Sequence, residues 1–148
     1  MEQLITLQVT IQALPAQVWH VLTNRSAMER WLGEPEMDIL VHTNWQVGTP
    51  IVIRGFHHEA FENKGVILQF TPEKCLRYSH LSSVSHLSDY ADNYTIFEFV
   101  LLPLALQTQL TLHIKNFPTE VIRKHLAFYW PATLSLIKQQ SETLSLSS

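Results

Sequence analysis

The sequence predicts an α+β fold: a curved, seven-stranded antiparallel sheet wrapped on one long C-terminal helix, with two short helices between the first and second strands. Three observations predict it. Seven short segments are rich in β-branched and aromatic residues, with Gly, Pro, Asn or Ser clusters between most of them. No helical pattern long enough for a crossover lies between the second and the seventh, so neighbours pair as antiparallel hairpins. An amphipathic run of about twenty-five residues then closes the order.

Residues 4–11, LITLQVTI, alternate like a strand with one buried face. The next stretch, LPAQVWHVLTNRSAMERWL (14–32), holds two helix starts. Pro15 suits a first helical position, where its missing N–H has no partner to lose, and Val18, Trp19 and Leu22 then share one face of a helix over residues 15–23. Ser26 and Glu29 form an S-x-x-E capping box for a second helix of barely two turns, and Gly33 offers it a left-handed stop. Helices this short are marginal in water, so both must pack on something larger, with Trp19 and Trp31 as anchors.

That larger element is the sheet. Its further strands are expected at MDILV (37–41), PIVIRGF (50–56), GVILQF (65–70), CLRYSHL (75–81), NYTIFEFVLL (93–102) and QTQLTLHI (107–114). Alternation puts Ile51, Ile53, Leu76, Tyr78, Phe97, Phe99, Leu110 and Leu112 on one face, and Arg54, Arg77, Glu98 and Thr111 on the other. The apolar face needs a cover. From Pro118 onward, Val121, Ile122, Leu126, Tyr129, Trp130, Leu134 and Ile137 recur at three- and four-residue steps, which makes a helix to lie on it. Pro131 inside this pattern should bend the helix near residues 127–131, and the tail SETLSLSS should fray.

Composition narrows the function classes. The 148 residues fit a single domain, 1–148, that buries roughly 70 % of its unfolded surface. With net charge −3 and ten Lys and Arg scattered rather than in runs, no electrostatic footprint for nucleic acid or an anionic membrane is present. Cys75 is the sole cysteine, which excludes an internal disulfide and a cysteine-based zinc site and suits a reducing cytoplasm. No signal-type N-terminus and no run of eighteen apolar residues occurs, so a soluble, cytoplasmic protein is expected.

Several quoted segments together resemble a known family. ALPAQVWHVLTNRSAMERW is similar to the APAEVWxxLT…W opening of proteins related to the activator of the heat-shock protein 90 ATPase. NWQVGTPIVIRG resembles their W-x-V-G-x-x-I turn, NKGVILQFTPEKCLRYSH their K-G-x-I-L…P…L-x-Y segment, TQLTLHIKNFP their T-x-L-T-L arm, and WPATLSLIK their closing W-x-x-x-L-x-x-L-K pattern. The order of elements resembles the helix-grip fold of the START-like (SRPBCC, Bet v 1-like) superfamily. That resemblance implies an apolar cavity between the long helix and the concave sheet, closed at one mouth by the two short helices. Superfamily members use it for lipids, steroids, polyketides, hormones or catalysis, and the fold does not choose among these.

The candidate lining combines strand alternation with helix periodicity: Trp31, Ile51, Ile53, Tyr78, His80, Phe97, Phe99, Leu112, Leu126, Tyr129 and Trp130. His80 and Tyr78 share one face and can donate hydrogen bonds to a ligand or to backbone at the sheet's end. No catalytic residue, cofactor or metal site is assigned. Glu98 stands between Phe97 and Phe99 on the outward face; His57 and His58 are adjacent and face opposite ways in a strand; His80, His86, His113 and His125 form no ligand pair. SHLSSVSHLSDYADNY (79–94) reads either as a solvated hairpin loop or as a lid in which Leu81, Val84, Leu87 and Tyr90 cover the cavity mouth. The leading function is non-catalytic binding of an apolar small molecule. The alternatives are an interaction module resembling the co-chaperone domain, with a chaperone or a second copy as partner, and a cyclase- or hydratase-type enzyme.

Overall fold

In the computed structural model, residues 4–147 are described. Strand β1 (Leu4–Ile11) is followed by α1 (Pro15–Thr23) and α2 (Arg25–Leu32), then by β2 (Leu40–His42), β3 (Pro50–His57), β4 (Glu59–Thr71), β5 (Cys75–Ser82), β6 (Thr95–Leu104), β7 (Gln107–Lys115) and α3 (Glu120–Ser147). The strands form one antiparallel sheet in the order β1-β7-β6-β5-β4-β3-β2. From β2 to β7 every neighbour in sequence is a neighbour in space. Because β1 and β2 lie at opposite edges, the chain between them must travel across the sheet. Helices α1 and α2 make that crossing, with α1 against α3, β6 and β7, and α2 against β2 and α3.

The face beneath α3, called inner below, carries the expected set: Ile51, Ile53, Leu76, Tyr78, Phe97, Phe99, Leu110 and Leu112 are all buried. Arg54 and Glu62 pair on the outer face, as do Arg77 and Glu98. The short helices are anchored as their isolation demands. The Trp31 indole donates to the Val21 carbonyl at 2.9 Å, and Trp19 meets the Phe70 ring edge-on at 5.1 Å.

Several boundaries differ from the expectations, each for a physical reason. Asn24, not Ser26, caps α2: its Oδ1 accepts from the Ala27 amide at 3.0 Å, which places Ser26 inside the first turn. Glu29 then turns away from the helix end and accepts from the Val41 amide at 2.8 Å, tying α2 to β2. Gly33 is extended, with φ −170°, and serves space instead, since a Cβ there would come within 2.8 Å of Met37 Sδ. Residues 35–37 form a 3-10 turn and Asp38 is left-handed, so β2 begins only at Leu40. Strand β4 starts six residues before the expected Gly65, because His58 adopts φ 65° and makes the β3–β4 turn without glycine, proline or asparagine.

The last helix differs at both ends. Thr119 caps it, accepting from the Ile122 amide at 3.2 Å, so Pro118 precedes the helix rather than opening it. Leu126, Trp130, Leu134 and Ile137 are buried, whereas Val121 is 78 % exposed and Tyr129 55 %, so the apolar stripe is narrower than the spacing implies. The tail does not fray: the helix runs to Ser147, with Ser141 fully buried and its hydroxyl donating to the Ile137 carbonyl. Ser148 lies outside the described residues.

Candidate functional site

Sheet register places the floor of the grip on β5 and β6. Tyr78 lies opposite Phe97 and their rings stack at 5.5 Å, while Phe99 lies 6.4 Å from Tyr78. From α3, the Trp130 ring comes to 5.0 Å from Phe97 and 6.0 Å from Phe99, and from α2 Trp31 comes to 6.1 Å from Trp130 and 6.2 Å from Phe99. These are contact separations for aromatic rings. The middle of the grip is therefore packed by rings rather than hollow around the whole inward set.

The seating of α3 is asymmetric. Its second half is fixed to the β1 side, where the Lys138 ammonium donates to the Thr10 carbonyl at 2.9 Å and Glu142 accepts from the Gln12 amide at 2.9 Å. Its backbone comes nearest to β1, α1 and α2, and it reaches the middle of the sheet through the Trp130 ring on Phe97 and Phe99 of β6. At the upper end, where the β3–β4 turn, the β5–β6 connection and the start of α3 meet, the inner face passes from buried to half-buried. Ile53, Tyr78 and Phe97 are buried, whereas Phe61, Asn63, His80 and Ile122 are half-buried.

Polar groups collect at this end. His80 lies opposite Thr95 and stands edge-on to Phe97 at 5.3 Å; the protein crowded around the imidazole pushes its pKa down to about 4, although part of the residue keeps contact with solvent. It is neutral at physiological pH. Burial likewise pushes the Tyr78 hydroxyl pKa well above its ordinary value. Asn63 lies opposite Ile53 and shares its face, and its Oδ1 is buried with no hydrogen-bond partner among the described residues.

Of the residues marked out by sequence, Trp31, Ile51, Ile53, Tyr78, Phe97, Phe99 and Leu112 lie buried on the inner side, joined by Leu126 and Trp130 from α3, with His80 at the upper rim. Tyr129 is apart from them, on the exposed flank of α3 with its ring 4.6 Å from His125 and 5.0 Å from Phe128. Asn63, Thr95 and Phe61 were missed. Their signal was parity: odd positions from 61 to 67 and from 95 to 99 face inward, but FEN (61–63) looked like loop.

The 83–94 segment folds against the outer face and not across the mouth. Ser83 Oγ accepts from the Glu62 amide at 2.9 Å, and Asp89 pairs at 2.7 Å with Lys64, which shares the outer face with Arg54 and Glu62. Leu81 is buried there outside the main core, while Val84 and Tyr90 stay exposed. The lid reading is thereby corrected. His57 and His58 also differ from expectation: with His58 in the turn, their rings approach to 4.5 Å. No group of three or more His, Cys, Asp or Glu among the described residues is placed to hold a metal ion.

With the geometry in hand, comparison identifies the family. The model of the family described as activator of Hsp90 ATPase homolog 1-like protein matches residues 12–142. The chain belongs to that family. This member of the activator-like family shares its fold with solved structures over nearly its whole length. ChR145 from Cytophaga hutchinsonii is 28 % identical, with TM-score 0.78 over 99 % of this chain and 97 % of that one. Protein CV1439 from Chromobacterium violaceum is 19 % identical, with TM-score 0.79 over 94 % and 97 %. Mll3558 from Rhizobium loti is 15 % identical, with TM-score 0.77 over 95 % and 97 %. Comparison with curated proteins finds no match. The fold of the activator-like family is one that holds hydrophobic ligands or serves as an interaction module. No helix among the described residues is long and apolar enough to cross a membrane.

Proposed function

We propose that residues 1–148 act as one cytoplasmic START-like unit that binds an apolar small molecule at the upper end of the grip and holds it without changing it. The ligand sits between the first half of α3, at Ile122, Leu126 and Trp130, and the inner face of β3–β6. The observation that carries this reading is the change along the inner face at this end, from buried Ile53, Tyr78 and Phe97 to half-buried Phe61, Asn63, His80 and Ile122, while the second half of α3 is clamped to β1. Apolar walls with a few polar groups are the usual make-up of small-molecule sites. Catalysis has less support, because Glu98 lies on the outer face and pairs with Arg77 at 3.6 Å. An interaction module is the second reading, favoured by the exposed Val121, Phe128 and Tyr129 on α3.

Native mass spectrometry of the purified protein tests the proposal. A small-molecule adduct that is lost on denaturation, together with saturable binding of the neutral probe N-phenyl-1-naphthylamine, is the expected result. A bare mass and no probe binding by the folded protein would overturn it.

A further inference from the structure

We propose that Asn63, His80 and Thr95 form a polar subsite at the upper end of the grip that receives the hydroxyl group of a neutral, ring-containing ligand. The inference rests on the ligand-binding reading above and narrows it to a chemical class. A sheet face that packs under a helix is ordinarily apolar. Here the parity that puts Ile67, Tyr78 and Phe97 at the floor leads upward to Asn63 on β4, His80 on β5 and Thr95 on β6. Thr95 lies directly opposite His80. Asn63 lies opposite Ser82, so His80 is its diagonal neighbour, at a separation of about 7–8 Å that two long polar side chains and one ligand atom span.

The unmet carbonyl of Asn63 is the pointed observation. Burying such a group without a partner costs about 1–3 kcal/mol, and natural interiors rarely leave one so. Two other described side-chain atoms are in the same condition, Arg77 Nε and Gln140 Oε1. Neither lies on the inner face of the sheet: Arg77 faces outward beside Glu98, and Gln140 belongs to the second half of α3. Asn63 Oδ1 is thus the one that faces a proposed ligand.

Its chemistry selects the ligand. A carbonyl oxygen accepts, so the ligand must donate an O–H or N–H. A hydroxyl also accepts, which lets the Thr95 hydroxyl or a protonated imidazole nitrogen of neutral His80 complete the same oxygen. A charged group is disfavoured, because Asn63, His80, Thr95 and the ring floor supply no counter-charge and an unpaired buried charge is costly. Phe61, half-buried two residues from Asn63 on the same face, supplies an aromatic surface beside the subsite suited to a ring.

Two probes of nearly equal shape test the subsite: 2-naphthol, which carries a hydroxyl, and 2-methylnaphthalene, which carries a methyl group in its place. Fluorescence titration of the intact protein should show 2-naphthol binding about tenfold tighter, the worth of one or two neutral hydrogen bonds. Asn63→Leu should abolish that preference by weakening 2-naphthol alone. Thr95→Val, close to isosteric and so an independent check on folding, should reduce it about threefold. Equal affinities in the wild type would overturn the subsite while leaving apolar binding intact, as would a preference that survives both substitutions. Failure of the folded wild type to bind either probe would overturn both proposals.

Discussion

The Trp130 ring on α3 lies 5.0 Å from the ring of Phe97 on β6, and this contact joins the helix to the middle of the sheet. Trp130 also meets Phe99 and Trp31, so one side chain links α3, the sheet and α2. Trp130→Ala should therefore cost about 3–5 kcal/mol, the range for deleting a large buried aromatic. Urea denaturation monitored by far-UV circular dichroism checks this. A loss below about 1 kcal/mol, within the scatter of surface substitutions, would show that the rings do not hold the helix.

How much of this was legible beforehand follows from what kind of signal each residue sends. Phe97, Phe99, Tyr78 and Leu112 announce their face because a strand's period is two and both neighbours on each side obey it. Pro15 marks its helix because proline has few other comfortable places. His58 sends no such signal: a histidine can take a left-handed turn, but nothing in its side chain requires one, so the start of β4 and the inward parity of Asn63 went with it. Asn24 and Ser26 are both good caps two residues apart, and only the Ala27 amide distinguishes them. The segment 83–94 is tied to the outer face by contacts distant in sequence, the Glu62 amide to Ser83 Oγ and Lys64 to Asp89, which no local pattern reveals.

Ile53 is buried on the wall of β3 directly opposite Asn63. Ile53→Trp should fill the space beside that wall, at an overpacking cost of about 1–3 kcal/mol that leaves a cooperative fold. Binding of N-phenyl-1-naphthylamine should then fall below detection. A variant that melts cooperatively and binds the probe as the wild type does would place the ligand elsewhere.

His80 should give stability a pH dependence. Its pKa is about 4 in the folded protein against an ordinary 6.5, so between those values the unfolded chain binds more protons. Stability is complete above pH 6.5 and falls as pH drops from 6.5 toward 4. Asp89, Glu120 and Glu142 have pKa values held below the ordinary carboxylate range by Lys64, Arg123 and Lys138, and their contribution is lost at lower pH. His80→Phe keeps a ring beside Phe97 and removes the titration. Urea midpoints at pH 7.5, 6 and 5 should thus decline less in the variant; parallel declines would remove His80 as the cause.

Pro131 stands between two differently tethered parts of α3. Before it, Ile122, Leu126 and Trp130 roof the upper end of the grip; after it, Lys138 is fastened to the end of β1 and Glu142 to Gln12 just beyond. The helix continues through the proline, which gives no amide to the Ala127 carbonyl and crowds it. Such a site favours a bend, and a bend here tilts the roof relative to the clamped half. Pro131 is exposed, so Pro131→Ala removes no core contact. It restores one hydrogen bond and relieves the clash, offset by a looser unfolded chain, for a net gain of about 1–3 kcal/mol. Urea denaturation reads that gain. If the bend holds the mouth open, the more stable variant should bind N-phenyl-1-naphthylamine at least fivefold more weakly, because a straightened first half lowers Leu126 toward the Ile53 wall. Unchanged affinity in a stabilised variant would show that the proline costs stability without shaping the site.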